Sequence, residues 1–186
     1  MGAFASDSNG AFAGQTRVFV WDGSQWTQWG QALDGEAPGD QFGSSVALSA
    51  NGNNLAVGAP YNDGSGPDAG HVRVYVFDGS QWTKRGQNVD GRAAGDEFGW
   101  RVAMSADGNM IAVGYPDGSD SGSVHVFLFD GSAWMQRGQC LFGEIPGDGF
   151  GGSVALSSDG NVIAVGANQN DGNGDNPGHA QVFEWR

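Results

Sequence analysis

The chain has 186 residues, 34 of them glycine and 39% hydrophobic, with a formal net charge of −13 and one lysine, Lys84. That length is enough to bury one sizeable core, while the acidic balance argues against a nucleic-acid backbone as partner and suits divalent cations or basic proteins. No apolar run approaches the length of a membrane span, and no run of ten residues has helical spacing of apolar positions, so the predicted class is all-β.

In chain order, residues 2–14 align with residues 58–70, so the sequence is read as starting inside a repeat. A strand with aromatic and aliphatic residues in alternation follows, from Gln15 to Trp21, and a Trp-containing strand begins at Trp26. The same pair recurs from Val72 and Trp82, then from Val124 and Trp134, and a last partial copy runs from His179 to Arg186. The glycines that open the aromatic strands are Gly14, Gly70, Gly122 and Gly178, spaced by 56, 52 and 56 residues. Between these lie three copies of a hairpin, from Phe42 to Pro60, Phe98 to Pro116 and Phe150 to Ala167, each turning at Asn-Gly or Asp-Gly.

A hairpin at a long fixed period marks a propeller, a solenoid or an array. The alternation decides among them. Val72, Val74 and Val76 share one face of their strand, while Tyr75 and Phe77 share the other with Arg73. Both faces are apolar, so each sheet must be covered on both sides. Blades stacked about an axis satisfy this, the aliphatic face of one packing on the aromatic face of the next. Each blade is predicted to hold four antiparallel strands: the Phe-Gly hairpin, the aromatic strand and an outer Trp strand whose Trp covers the exposed edge. Segments such as Leu33 to Asp40 are predicted to cross to the next blade. The expected organisation is a single repeat array over 1–186, with a partial blade at 1–39, blades at 40–91 and 92–143, and a partial blade at 144–186. One chain then leaves the ring incomplete.

These residues resemble the FG-GAP repeat β-propellers, the family that includes the integrin α-subunit head. The likeness rests on Gly-Asp-X-Phe-Gly-X-Ser-Val-Ala at Gly39 to Ala47 and Gly147 to Ala155, and on Val-Gly-Ala-Pro at Val57 to Pro60. The resemblance implies a non-enzymatic scaffold or protein-interaction module, in adhesion or assembly, outside the cell or at its surface. The calcium-binding variant carries an Asp-rich loop between the first two strands, where this chain has only Ser-Ala-Asn-Gly-Asn or Ser-Ala-Asp-Gly-Asn. It is therefore similar to the short, calcium-poor subtype.

Oxygen-rich loops occur elsewhere, after Val-Gly-Ala-Pro and its variants. Asp63 and Asp68, Asp117 and Asp120, and Asp171, Asn173 and Asp175 are candidate Ca²⁺ ligands, because alternating Asp and Asn on a glycine-bent loop can wrap a hard cation. The same residues are also ordinary turn formers, and no EF-hand Glu closes them. The alternative function is thus Ca²⁺-dependent ligand or glycan binding; no other cofactor is expected. Asp40, Asp96 and Asp148 recur before each Phe-Gly and are expected to brace a turn. His71, His125 and His179 have no metal or triad spacing, and Cys140 reads as a small, partly buried side chain. No catalytic set emerges, and a hydrolytic propeller is the weakest reading. A propeller has four or more blades, so a protein partner, a second copy, or further sequence of a longer chain is expected to complete the ring.

Overall fold

The computed structural model describes residues 1–116, 121–170 and 178–185. All of its regular elements are strands. The first group comprises β1 (Gly2–Ala3), β2 (Gln15–Thr16), β3 (Phe19–Trp21), β4 (Trp26–Gln28) and β5 (Leu33–Asp34). The second comprises β6 (Ser45–Leu48), β7 (Asn54–Ala59), β8 (His71–Phe77), β9 (Trp82–Lys84) and β10 (Val89–Asp90). The third comprises β11 (Arg101–Met104), β12 (Met110–Tyr115), β13 (Ser123–Phe129), β14 (Trp134–Gln136) and β15 (Leu141–Phe142), and the fourth β16 (Phe150–Leu156), β17 (Val162–Ala167) and β18 (His179–Glu184).

Each group is one antiparallel blade. In the second, β6, β7 and β8 lie side by side, and β8 carries both β9 and β10 on its outer edge. The third repeats this with β11, β12 and β13, the last flanked by β14 and β15. The outer position is therefore a strand in two pieces. The Trp segment pairs with one end of the aromatic strand (Phe77 opposite Trp82) and the segment expected to cross over pairs with the other (Val89 opposite Val72). That corrects the sequence reading: 33–34, 89–90 and 141–142 belong to the blade they leave. The first blade is split further, since β2 joins β1 and β5 while β3 and β4 form a separate ribbon. Gly2 opposite Thr16 matches Gly58 opposite Val72, so β1 is a stub of the second strand, in keeping with the alignment of residues 2–14 on 58–70.

Blade-on-blade packing follows the predicted rule. Val18 and Leu33 of the first blade meet Leu55, Val57, Tyr75 and Trp82 of the second. Ala56, Val72 and Val74, on the other face of that second blade, meet Ile111, Val113 and Trp134 of the third. Ala112 and Val124 of the third in turn meet Phe150, Ile163 and Val165 of the fourth. Three times, an aliphatic face lies on an aromatic or large-residue face. Near the Phe-Gly corners the blades touch through backbone: the Phe42 N–H donates to the Ala13 carbonyl at 3.0 Å. A Cβ on Gly58 would run into the Gly99 carbonyl, so only glycine permits this approach.

Candidate functional site

The recurrent aspartates are turn braces. Asp40 Oδ2 accepts the N–H groups of Glu36 and Ala37 and the Asn62 amide, at 3.0–3.1 Å. Asp148 Oδ2 likewise accepts from Ile145 N–H and from Asn170 Nδ2. Asp96 accepts from Arg92 and Ala93 N–H. At Asp40 and Asp148 the brace ties the crossover to the loop that follows the second strand of the blade.

Of the candidate Ca²⁺ ligands, Asp117, Asp120, Asp171, Asn173 and Asp175 lie outside the described residues. Asp63 and Asp68 sit in one loop, but they close it on itself: Asp63 Oδ1 accepts the Asp68 N–H at 2.8 Å, and Asp68 has φ 51°. Asp7 does the same for Phe12 in the first blade, at 2.9 Å with φ 55° at Phe12. Among the described residues no three His, Cys, Asp or Glu side chains come together as a metal-binding group. The described loop fits a turn better than a cation cage.

One cluster was invisible in the sequence. Tyr115 Oη lies 3.1 Å from His125 Nε2, and Cys140 Sγ lies 3.4 Å from His125 Nδ1. Residues 10 and 15 apart meet because β12 and β13 pair and residue 140 lies between β14 and β15 on the outer edge of β13. Burial, then the Arg92 charge, lowers the His125 pKa from 6.5 to about 4, so the imidazole is neutral at pH 7. The corresponding position in the second blade is Arg73, which pairs with Glu36, and in the fourth it is Gln181, bonded to Glu144. His125 instead makes its contacts within its own blade, to Tyr115 and Cys140.

The most repeated device is a clamp between blades. Gln31 Nε2 donates to the Trp82 carbonyl at 2.8 Å and Gln31 Oε1 accepts the Trp82 N–H at 2.9 Å, while the Trp82 indole N–H donates to the Trp29 carbonyl at 2.8 Å. Gln87 grips Trp134 identically, at 2.9 and 3.0 Å, and the Trp134 indole donates to the Arg85 carbonyl. Trp82 and Trp134 are consequently only 3% exposed. They do not cover an outer edge, as the sequence reading had it; the preceding blade buries them. The Gly-Gln of the sequence motif was the available signal, since a glutamine at fixed distance from a Trp strand has the right donor and acceptor for a backbone pair.

The two ends of the array show faces that interior blades hide. Val74 is fully buried, yet its fourth-blade counterpart Val182 is 69% exposed. At the other end Trp26, the counterpart of Trp82, is 66% exposed and Trp21 is 51% exposed, their rings in edge contact at 5.7 Å. Val18, Phe19, Trp26, Val46, Leu48 and Leu55 line an apolar groove of about 500 Å³ beside them.

Residues 31–77, 89–127 and 145–183 match the family described as FG-GAP repeat. No curated protein matches the sequence. Among solved structures, the chain is similar to a complex of KlAtg21 with the coiled-coil of AgAtg16 (TM-score 0.59, 17% identity, 91% of this chain and 47% of that one). It is also similar to hydrazine synthase of Kuenenia stuttgartiensis (TM-score 0.57, 14% identity, 90% and 40%). A third is a putative 6-phosphogluconolactonase from Bacteroides uniformis (TM-score 0.51, 14% identity, 92% and 49%). At these identities the likeness is one of fold, and the chain spans less than half the length of each.

Proposed function

This chain belongs to the FG-GAP repeat family, and from that premise we propose that it is a non-enzymatic β-propeller scaffold that works by protein–protein assembly. The observation that carries the reading is the pair of unmatched ends: an aliphatic face with Val182 exposed at one, an aromatic face with Trp21 and Trp26 exposed at the other. Inside the chain, such faces are buried against each other three times over. Exposed apolar patches of this kind mark interaction sites. The stack of blades is completed by a protein surface, a partner, a second copy or further sequence of a longer chain, acting outside the cell or at its surface, where FG-GAP repeats are typical.

Fold likeness to two proteins named as enzymes brings no activity with it, because propellers host unrelated functions on one scaffold. The positions equivalent to His125 hold Arg73 and Gln181, so the His125–Cys140 pair is not repeated in those blades. Among the described residues no helix is long and apolar enough to cross a membrane. Light scattering with an apolar-surface dye tests the proposal. Association, or dye binding relieved by a protein partner, is the expected result; a folded monomer that binds neither dye nor protein contradicts it.

A further inference from the structure

We infer that β18 takes the β4–β5 segment of a second copy as its outer strand, with Trp26 of that copy seated under Gln139. The inference rests on the assembly reading and names its surface and its occupant.

The acceptor side is the third member of a series. Gln31 grips Trp82 and Gln87 grips Trp134. The next in line is Gln139, which is exposed and makes no hydrogen bond among the described residues. The rest of its station is already assembled. Arg137 stacks on Trp185 at 4.7 Å, as Arg85 stacks on Phe129 at 4.3 Å. Gly138 lies beneath Trp185, as Gly86 lies beneath Phe129 and Trp134. β17 covers one edge of β18, and no strand among the described residues pairs with the other.

On the donor side, Trp26 has the register of a clamped Trp and none of its burial. It faces Trp21, as Trp82 faces Phe77 and Trp134 faces Phe129. The register equivalent of Trp21 in the fourth blade is Trp185. Continuing that register sets Leu33 opposite Ala180 and Asp34 opposite His179. The last pairing has an internal precedent, since Asp90 faces His71 with Oδ1 3.9 Å from Nδ1.

The exchange favours β18 because the present host of β4–β5 is the poorer one. In the first blade the third strand is broken into β2, of two residues, and β3, of three, in separate sheets. β18 runs six residues without a break, on a three-stranded sheet. Backbone pairs lost to β2 and β3 are regained on β18, so the difference is the burial of Trp26, the two Gln139 bonds and the His179–Asp34 contact. Each copy has both an acceptor and a donor, and in the proposed mode two copies exchange mutually and close as a two-fold dimer rather than adding head to tail.

The test uses the 186-residue chain and two variants at exposed positions, Trp26→Ala and Gln139→Ala, each checked for unchanged circular dichroism. Sedimentation over a concentration series is expected to show a dimer of 19.3 kDa subunits, with each variant weakening it about tenfold or more. Mixing the two variants should recover part of the association, since one junction then pairs an intact Trp26 with an intact Gln139 and the other carries both substitutions. A dimer indifferent to both substitutions overturns this docking mode and leaves assembly through another surface. A chain that stays monomeric and binds no partner overturns both.

Discussion

Gln31 holds the backbone of Trp82 with both ends of its amide, the nitrogen on the carbonyl at 2.8 Å and the oxygen on the N–H at 2.9 Å. The two residues lie in different blades, so the contact fastens one blade to the next. Trp82→Ala should cost about 3–5 kcal/mol through the cavity it leaves, and Gln31→Ala about 1–3 kcal/mol through unsatisfied backbone groups. Trp26→Ala, at the exposed counterpart, should change the stability of the monomer by less than about 0.5 kcal/mol. Urea midpoints of the three variants, measured on dilute monomer, check the ordering.

The Asp40 carboxylate carries three N–H bonds in a buried corner, whereas Asp96 carries two among the described residues, in a more open one. Asp40→Ala is expected to destabilise by about 2–3 kcal/mol and Asp96→Ala by about 1 kcal/mol. Thermal unfolding of each variant provides the comparison, and equal losses would contradict the assignment of the brace.

Backbone contact between blades predicts a glycine requirement. Gly58→Ala sets a methyl group against the Gly99 carbonyl, and neither strand can move without opening the interface. The expected loss is about 1–3 kcal/mol or more, read from the shift in denaturant midpoint.

His125 predicts a pH dependence of definite sign. Its pKa is about 4 in the folded chain and near 6.5 unfolded, so between these values only the unfolded chain takes up the proton. Stability is full above about pH 6.5 and falls by roughly 3 kcal/mol as the pH drops through the folded value. Tyr115, Cys140, Arg92 and Asp96 surround the ring, and burial lowers His71 as well. His125→Gln, which installs the residue found at position 181, should flatten most of this slope and leave the His71 share.

Calcium offers a separate test of the loops. Because Asp63 Oδ1 closes the loop on the Asp68 N–H, millimolar Ca²⁺ should leave the melting temperature of the Asp63→Asn variant shifted no differently from that of the parent. A calorimetric binding isotherm abolished by Asp63→Asn would show that this loop holds a cation.

Much of this architecture was legible in the sequence because the physics repeats. Val72, Val74 and Val76 alternating with Tyr75 and Phe77 told of a sheet buried on both faces, and each interface obeys that pattern. Phe42, Phe98 and Phe150 stood out as the fixed points of the repeat, and all three are core. What escaped was contact between repeats. The burial of Trp82 depends on Gln31, 51 residues away, and no periodicity within one blade reports it. The meeting of His125 with Cys140 depends on where the outer strand breaks in two, and Leu33 and Val89 looked like linkers because their strands are only two residues long.

The central claim is that the exposed aliphatic end face drives assembly because its interior counterparts are buried on neighbouring blades. Val182→Asp tests it most directly, since Val182 is 69% exposed and its replacement is expected to leave the folded chain intact. Light scattering across a concentration series should show the parent chain associating and the Val182→Asp variant remaining monomeric. A parent chain that is monomeric throughout, or a variant that associates as well as the parent, would contradict the account.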